Sequence, residues 1–175
     1  MKEKSIKGRA FLIKDSDGKY IDNVDTDMIF HNSHLHITEI NEMGKHAFGN
    51  LKGYKNFPQK AKKGDIVFIG GNFGSGSSRQ QAVDCFTALG VKAIIAKSFG
   101  SIYKRNAINS GMPIFSCPNM DNINLENMSE INFDFQSGEV KDSKGKTIGK
   151  TEPMNKVQMD IFEAGGIFNY AKKLT

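Results

Sequence analysis

An apolar run that ends abruptly at two glycines constrains this chain more than any other feature. Ile66-Val67-Phe68-Ile69 stops at Gly70-Gly71 and continues as Asn72-Phe73-Gly74-Ser75-Gly76-Ser77-Ser78-Arg79-Gln80-Gln81 before an amphipathic stretch begins. Glycines permit positive φ and close backbone approach, so the order reads as a strand, a tight loop and a helix start. Ala82, Val83, Phe86 and Leu89 keep a helical stripe that Gly90 closes, and Val91-Lys92-Ala93-Ile94-Ile95-Ala96 is the next apolar run. Strand, loop, helix and strand predict a βαβ-type unit with parallel strands. A helix start offers unpaired N–H groups and the positive end of a dipole to an anion. Ser77, Ser78 and Arg79 add two hydroxyls and a fork of fixed donors there. The expectation is a carboxylate-binding corner with one catalytic hydroxyl.

The remaining chain arranges itself around that unit. Residues 6–13 read as a strand ending at the turn Asp15-Ser16-Asp17-Gly18-Lys19. Thr38 is placed to cap a helix carrying Ile40, Met43, Ala47 and Phe48, and residues 51–63 look like a loop. A second helix over residues 102–109 ends at Gly111-Met112-Pro113, before the apolar Ile114-Phe115. Ile131-Asn132-Phe133-Asp134-Phe135 alternates as a strand, with turns at Ser137-Gly138 and Lys144-Gly145. Residues 157–170 are helical but broken at Gly165-Gly166. The prediction is one α/β domain over residues 1–175, with a peripheral β-hairpin region and a C-terminal helical segment from about residue 119.

Composition excludes several functions. The net charge of +5 comes almost wholly from lysine, the arginines being Arg9, Arg79 and Arg105. A nucleic-acid groove would interleave arginines with aromatics on one element, so a solvated lysine surface is expected instead. No window is long and apolar enough for a membrane span, and the charged start lacks an apolar signal core, so the expected location is cytoplasmic. Cys85 and Cys117 have no metal-ligand spacing, and Cys85 falls within the amphipathic helix as a small buried hydrophobe. This chain is therefore expected to bind no metal.

The glycine loop has the spacing of a P-loop, but Ser77 stands where the phosphate-binding lysine would be. A dinucleotide fingerprint also fails, because the glycine order differs and no acid ends the following strand. Asp22-Asn23-Val24-Asp25-Thr26-Asp27 can be a structured Asx-rich turn or supply a network carboxylate. His31, His34 and His36 lie close together with no cysteine nearby, so they read as a polar loop able to donate to a ligand oxygen rather than as a metal site.

Taken together, Asp25-Thr26-Asp27, Gly74-Ser75-Gly76-Ser77-Ser78-Arg79, Ser98-Phe99, Arg105-Asn106-Ala107 and Asn109-Ser110-Gly111-Met112-Pro113 resemble small subunits of the aconitase superfamily. The resemblance is strongest to the isopropylmalate isomerase type and runs from about residue 6 to residue 115. It implies a swivelling β/β/α domain that closes over a large partner subunit carrying a [4Fe–4S] cluster. The implied reaction is hydro-lyase chemistry on a small hydroxy-dicarboxylate, as in leucine biosynthesis. Ser77 matches the proton-abstracting serine, Ser78 and Arg79 the carboxylate binders, and Asp27 and Arg105 a supporting network. By position, His34, Leu35 and His36 fall where relatives meet the variable substrate group. Some relatives that take an extra carboxylate place an arginine there, yet residues 25–63 contain none, which favours an apolar substituent; the alternative is a protonated His36 meeting a carboxylate. Gln80-Gln81 departs from the Glu-His common in the family. The alternatives are a homoaconitase or dimethylmalate dehydratase small subunit, or a non-catalytic anion-binding module of the same fold.

Overall fold

Ile66–Ile69 and Ala93–Ala96 are buried at every residue, as expected for parallel strands covered on both faces. The computed structural model describes residues 4–174; the start of the chain, on which the signal-peptide reading rests, lies partly outside them. The elements run β1 (Ser5–Leu12), α1 (Thr26–Ile29), α2 (Ile40–Met43), α3 (Phe57–Lys60), β2 (Ile66–Ile69), α4 (Gln81–Ala88) and β3 (Ala93–Ala96). They continue with α5 (Ser101–Asn109), β4 (Ile114–Ser116), β5 (Glu130–Asp134), β6 (Glu139–Asp142), β7 (Thr147–Lys150), α6 (Lys156–Ala164) and α7 (Ile167–Ala171).

The strands form a seven-stranded sheet in the order β4-β3-β2-β1-β5-β6-β7. β1, β2, β3 and β4 pair in parallel, in line with the βαβ prediction, whereas β5 joins β1 antiparallel and leads into β6 and β7. The hairpin region read as peripheral therefore continues the central sheet. Successive side chains on β2 point to opposite faces: Val67 and Ile69 enter one core, Ile66 and Phe68 the other. Helices α1 to α5 cover the first core, where Phe48, Phe57, Phe73, Phe86 and Tyr103 meet edge to face. The second core is closed by the sheet together with α6, which contributes Met159 and Phe162. β4 and β5 are four places apart in strand order, yet the rings of Phe115 and Phe133 lie 4.6 Å apart, so the sheet curls on itself.

Two local expectations change. Thr38 caps nothing: α2 starts at Ile40 after Glu39, makes one turn and passes into a 3-10 turn at Gly44–His46. The chain is pulled away there because Phe48, at φ +57°, donates its N–H to the carbonyl of Ile29 and buries its ring. Residues 51–63 contain α3, whose Pro58 falls in the first turn, where a missing N–H costs little. Both cysteines are free and buried, Cys85 in the helix-covered core and Cys117 in the other.

Candidate active site

The loops leaving the C-terminal ends of β1, β2 and β3 converge, which is where open parallel sheets place their ligands. The glycine loop lies between the other two and is laced to both. Gly70 donates to the carbonyl of Ile21 (3.0 Å), Gly71 to Asp22 Oδ1 (2.5 Å), and Gly74 to the carbonyl of Val24 (2.8 Å). On its other side Asn72 donates to Ser98 Oγ (2.8 Å), and Phe73 exchanges bonds with Ser98 and Gly100. The loop needs glycine at position 74 twice over. Its φ is +75°, and a Cβ there would lie 2.2 Å from the Tyr103 ring.

Beyond Ser75, whose carbonyl accepts from Thr26 N–H (2.9 Å), the loop turns outward and exposes Gly76, Ser77 and Ser78. The Ser77 hydroxyl is 3.1 Å from that of buried Thr26. No hydrogen bond ties the N–H groups of Gly76, Ser77 or Ser78 to another described residue. Contrary to expectation, the serines are not in the first turn of α4. That helix begins at Gln81 and is preceded by Gln80, which makes no side-chain cap. Any anion at Ser77 thus meets loop amides and the Thr26 hydroxyl, while the α4 dipole acts from farther away.

Arg79 is half-buried and fixed. Its Nη1 donates to Asp27 Oδ1 (2.8 Å) and to the carbonyl of Phe30 (2.9 Å), leaving Nη2 and Nε without a partner among the described residues. Asp27 also accepts from the Asn32 N–H (3.0 Å) and from Asn50 Nδ2 (3.2 Å). The Arg79 bond, with the Asn32 N–H assisting, holds the Asp27 carboxyl below its ordinary value despite partial desolvation. Arginine orientation is therefore set before any ligand arrives.

The histidine-rich loop follows α1 as a 3-10 turn over Asn32–His34. His31 accepts from the Ser33 N–H and faces the Asp27 carboxylate at 3.9 Å. The His34 ring stacks on His46, with centroids 3.8 Å apart, while Leu35 and His36 are exposed. The structure thus gathers Ser77, Ser78, Arg79 and Asp27 into one corner, linked through Phe30 to the loop bearing His34. Arg105 does not join them. It is exposed on α5 and makes no bond to Asp27 or Arg79.

Thr26, Asn50, Ser98 and His46 support this corner without having been singled out as site residues. Thr26 and Ser98 stood inside the motifs; Asn50 and His46 carried no local signal. Among the described residues, no group of three histidine, cysteine or acidic side chains could hold a metal ion. Both thiols are poor ligands for a cluster, since burial pushes them up and keeps them protonated. A groove of about 1250 Å³ runs between residues 11–22 and 50–60 but does not include Ser77, Ser78 or Arg79, which lie on an open face.

Residues 15–118 match the aconitase C-terminal domain model. The chain is 40% identical over 162 residues to a 3-isopropylmalate dehydratase small subunit of Caldicellulosiruptor bescii, covering 92% of this chain and 95% of the relative. It is 43% identical over 169 residues to a methanogen homoaconitase small subunit of Methanocaldococcus jannaschii, covering 96% and 92%. A crystal structure of a 3-isopropylmalate dehydratase from Methanocaldococcus jannaschii superposes with a TM-score of 0.83 at 38% identity, covering 97% of this chain and 95% of that one.

Proposed function

Because this chain belongs to the aconitase C-terminal domain family, we propose that it is the small, substrate-binding subunit of a hydro-lyase interconverting 2- and 3-isopropylmalate, a step of leucine biosynthesis. The observation that carries the reading is an arginine fork already aimed by Asp27 and Phe30, two residues from an exposed serine hydroxyl paired with Thr26. A substrate carboxylate takes the free Nη2 and Nε of Arg79 and the Ser78 hydroxyl. Ser77 Oγ removes the carbon-bound proton; the electron pair forms the double bond as the neighbouring carbon–oxygen bond breaks. The reverse steps re-add water at the other carbon. Serine is a very weak acid, so its anion needs the Thr26 hydroxyl and the free loop amides.

The departing hydroxyl must be protonated as it leaves. We assign that task, and the iron–sulfur cluster of the reaction, to a large subunit covering the open face, because the residues here do not fit a cluster. His34, Leu35 and His36 then meet the variable substituent, with Arg105 outside this network. Absence of arginine from residues 25–63 favours isopropyl over an added carboxylate, and Lys45, which lines the same pocket as His34 and His36, is already paired with Glu42. The homoaconitase relative keeps a tricarboxylate as the second reading.

Ser77→Ala in the complex reconstituted with a large subunit tests the assignment: turnover should fall at least about 10³-fold, the scale of a lost general base. Unchanged turnover would reduce the corner to an anion-binding module. Isopropylmalate, homoaconitate and dimethylmalate compared in the same complex decide the substrate, and a preference for homoaconitate would overturn the isopropyl assignment.

A further inference from the structure

His46 lies outside every motif noted above, and the function assigned so far makes no use of it. Its ring stacks on His34 at 3.8 Å with 25° between planes, and both imidazoles stand edge-on to the buried Phe30 ring, at 6.0 and 6.1 Å. Phe30 is the same residue whose carbonyl fixes Arg79. One buried aromatic thus bears the arginine on its backbone and the imidazole pair on its ring. The loop between Phe30 and Ile37 makes few other ties to the body of the protein, since its hydrogen bonds are mostly within itself or to Asp27.

We propose that His46 is a positioning residue for substrate selection: as a neutral imidazole it stacks beneath His34 and holds the His34-Leu35-His36 segment in the orientation that meets the variable substrate group. This rests on the reading above that the segment is the selecting one. Two stacked rings attract through dispersion and offset faces while at least one is neutral, whereas two imidazolium ions at this separation repel.

The groups facing His46 make its neutral form the stable one. It is lowered from its ordinary value first by burial, then by His34, Lys45 and His36; only Glu42 opposes, and Glu42 is paired with Lys45. The sign follows directly. A base lowered by folding binds more protons when released than when docked, so docking is complete above about pH 6.5 and weakens as pH falls through the lowered value. KM should rise on the acid side.

The test uses the reconstituted two-subunit enzyme. His46→Ala removes the stack and His46→Phe keeps an aromatic face that cannot be protonated. With His46→Ala, KM should rise about tenfold with kcat changing less than about threefold, and preference for isopropyl over methyl-substituted malate should flatten. His46→Phe should restore KM near pH 7.5 and remove its rise as pH falls below about 6.5. If His46→Ala leaves KM and selectivity unchanged while Leu35→Ala alters them, the positioning role is refuted and the loop assignment survives. If Leu35→Ala and His34→Ala also leave selectivity unchanged, the loop assignment itself fails. A variant that alters kcat and KM equally, with no rescue by His46→Phe, would mean a merely structural ring and would also refute the proposal.

Discussion

Replacing Arg79 by lysine keeps the charge but should disable the corner. In the native arrangement a single nitrogen, Nη1, serves both Asp27 (2.8 Å) and the Phe30 carbonyl (2.9 Å), so the rest of the fork is free for substrate. A lysine has one ammonium on a flexible stem and cannot hold Asp27 and Phe30 while also chelating a carboxylate. It forfeits about two charge-assisted bonds in the productive complex, each about 1.5–3 kcal/mol, so a net loss of about 3–4 kcal/mol is reasonable. At about 1.4 kcal/mol per decade, kcat/KM should fall two to three decades. Folding stability should change far less, about 1 kcal/mol, because Asp27 is 35% exposed and water screens the pair. Steady-state assay of the reconstituted enzyme, by the ultraviolet absorbance of the unsaturated intermediate, gives the first quantity, and urea unfolding of the small subunit gives the second. A lysine variant with kcat/KM within about tenfold of wild type would show that charge alone suffices, and the argument from the pre-aimed fork would be wrong.

Other perturbations separate the remaining contributions. Thr26→Val keeps the buried shape but leaves Ser77 without its hydroxyl partner, so kcat should fall about tenfold with KM little changed; Thr26→Ser should recover it. Asp27→Asn should cost stability near neutral pH, and the difference from wild type should shrink towards pH 3. The native carboxyl lies below 3.8 because of Arg79, so its contribution is present above that pH and lost as pH falls through the lowered value. Gly74→Ala places a methyl against the Tyr103 ring at positive φ; a loss of about 2–3 kcal/mol, read as a Tm drop of roughly 5–10 °C, is expected. Asp65 is 1% exposed and accepts two bonds from Arg9 and one from the Lys62 N–H, so Asp65→Ala should destabilise by about 3 kcal/mol in urea unfolding.

How far the sequence could be read differs from element to element for physical reasons. β2, α4 and β3 were visible because continuous apolar runs and a clear helical stripe lie beside glycines with no other local use. The helix expected from Thr38 was not built because a distant acceptor, the Ile29 carbonyl, redirected the chain at Phe48. Antiparallel pairing of β5 with β1 joins residues more than a hundred positions apart, and no local pattern specifies such a partner. Within the site, the identities of Ser77, Arg79 and Asp27 could be read from their motifs. Their geometry could not: Asn50 on Asp27 and His46 under His34 are brought in by the helix-covered core. The placement of Ser77 ahead of the helix, and of Arg105 away from the network, likewise depends on loop path rather than residue type.

The lacing of the glycine loop draws a mechanical boundary inside one short motif. Amides from Gly70 to Gly74 are tied to neighbours on two sides, while those from Gly76 to Ser78 are tied to no other described residue. In hydrogen–deuterium exchange the first group should open only with large unfolding events, and the second should exchange almost at once. The reactive tip can thus adjust by small loop motions when a partner surface arrives, while its base keeps the register of the whole corner. Docking would be felt first as slowed exchange at three consecutive amides, with the sheet behind them unchanged.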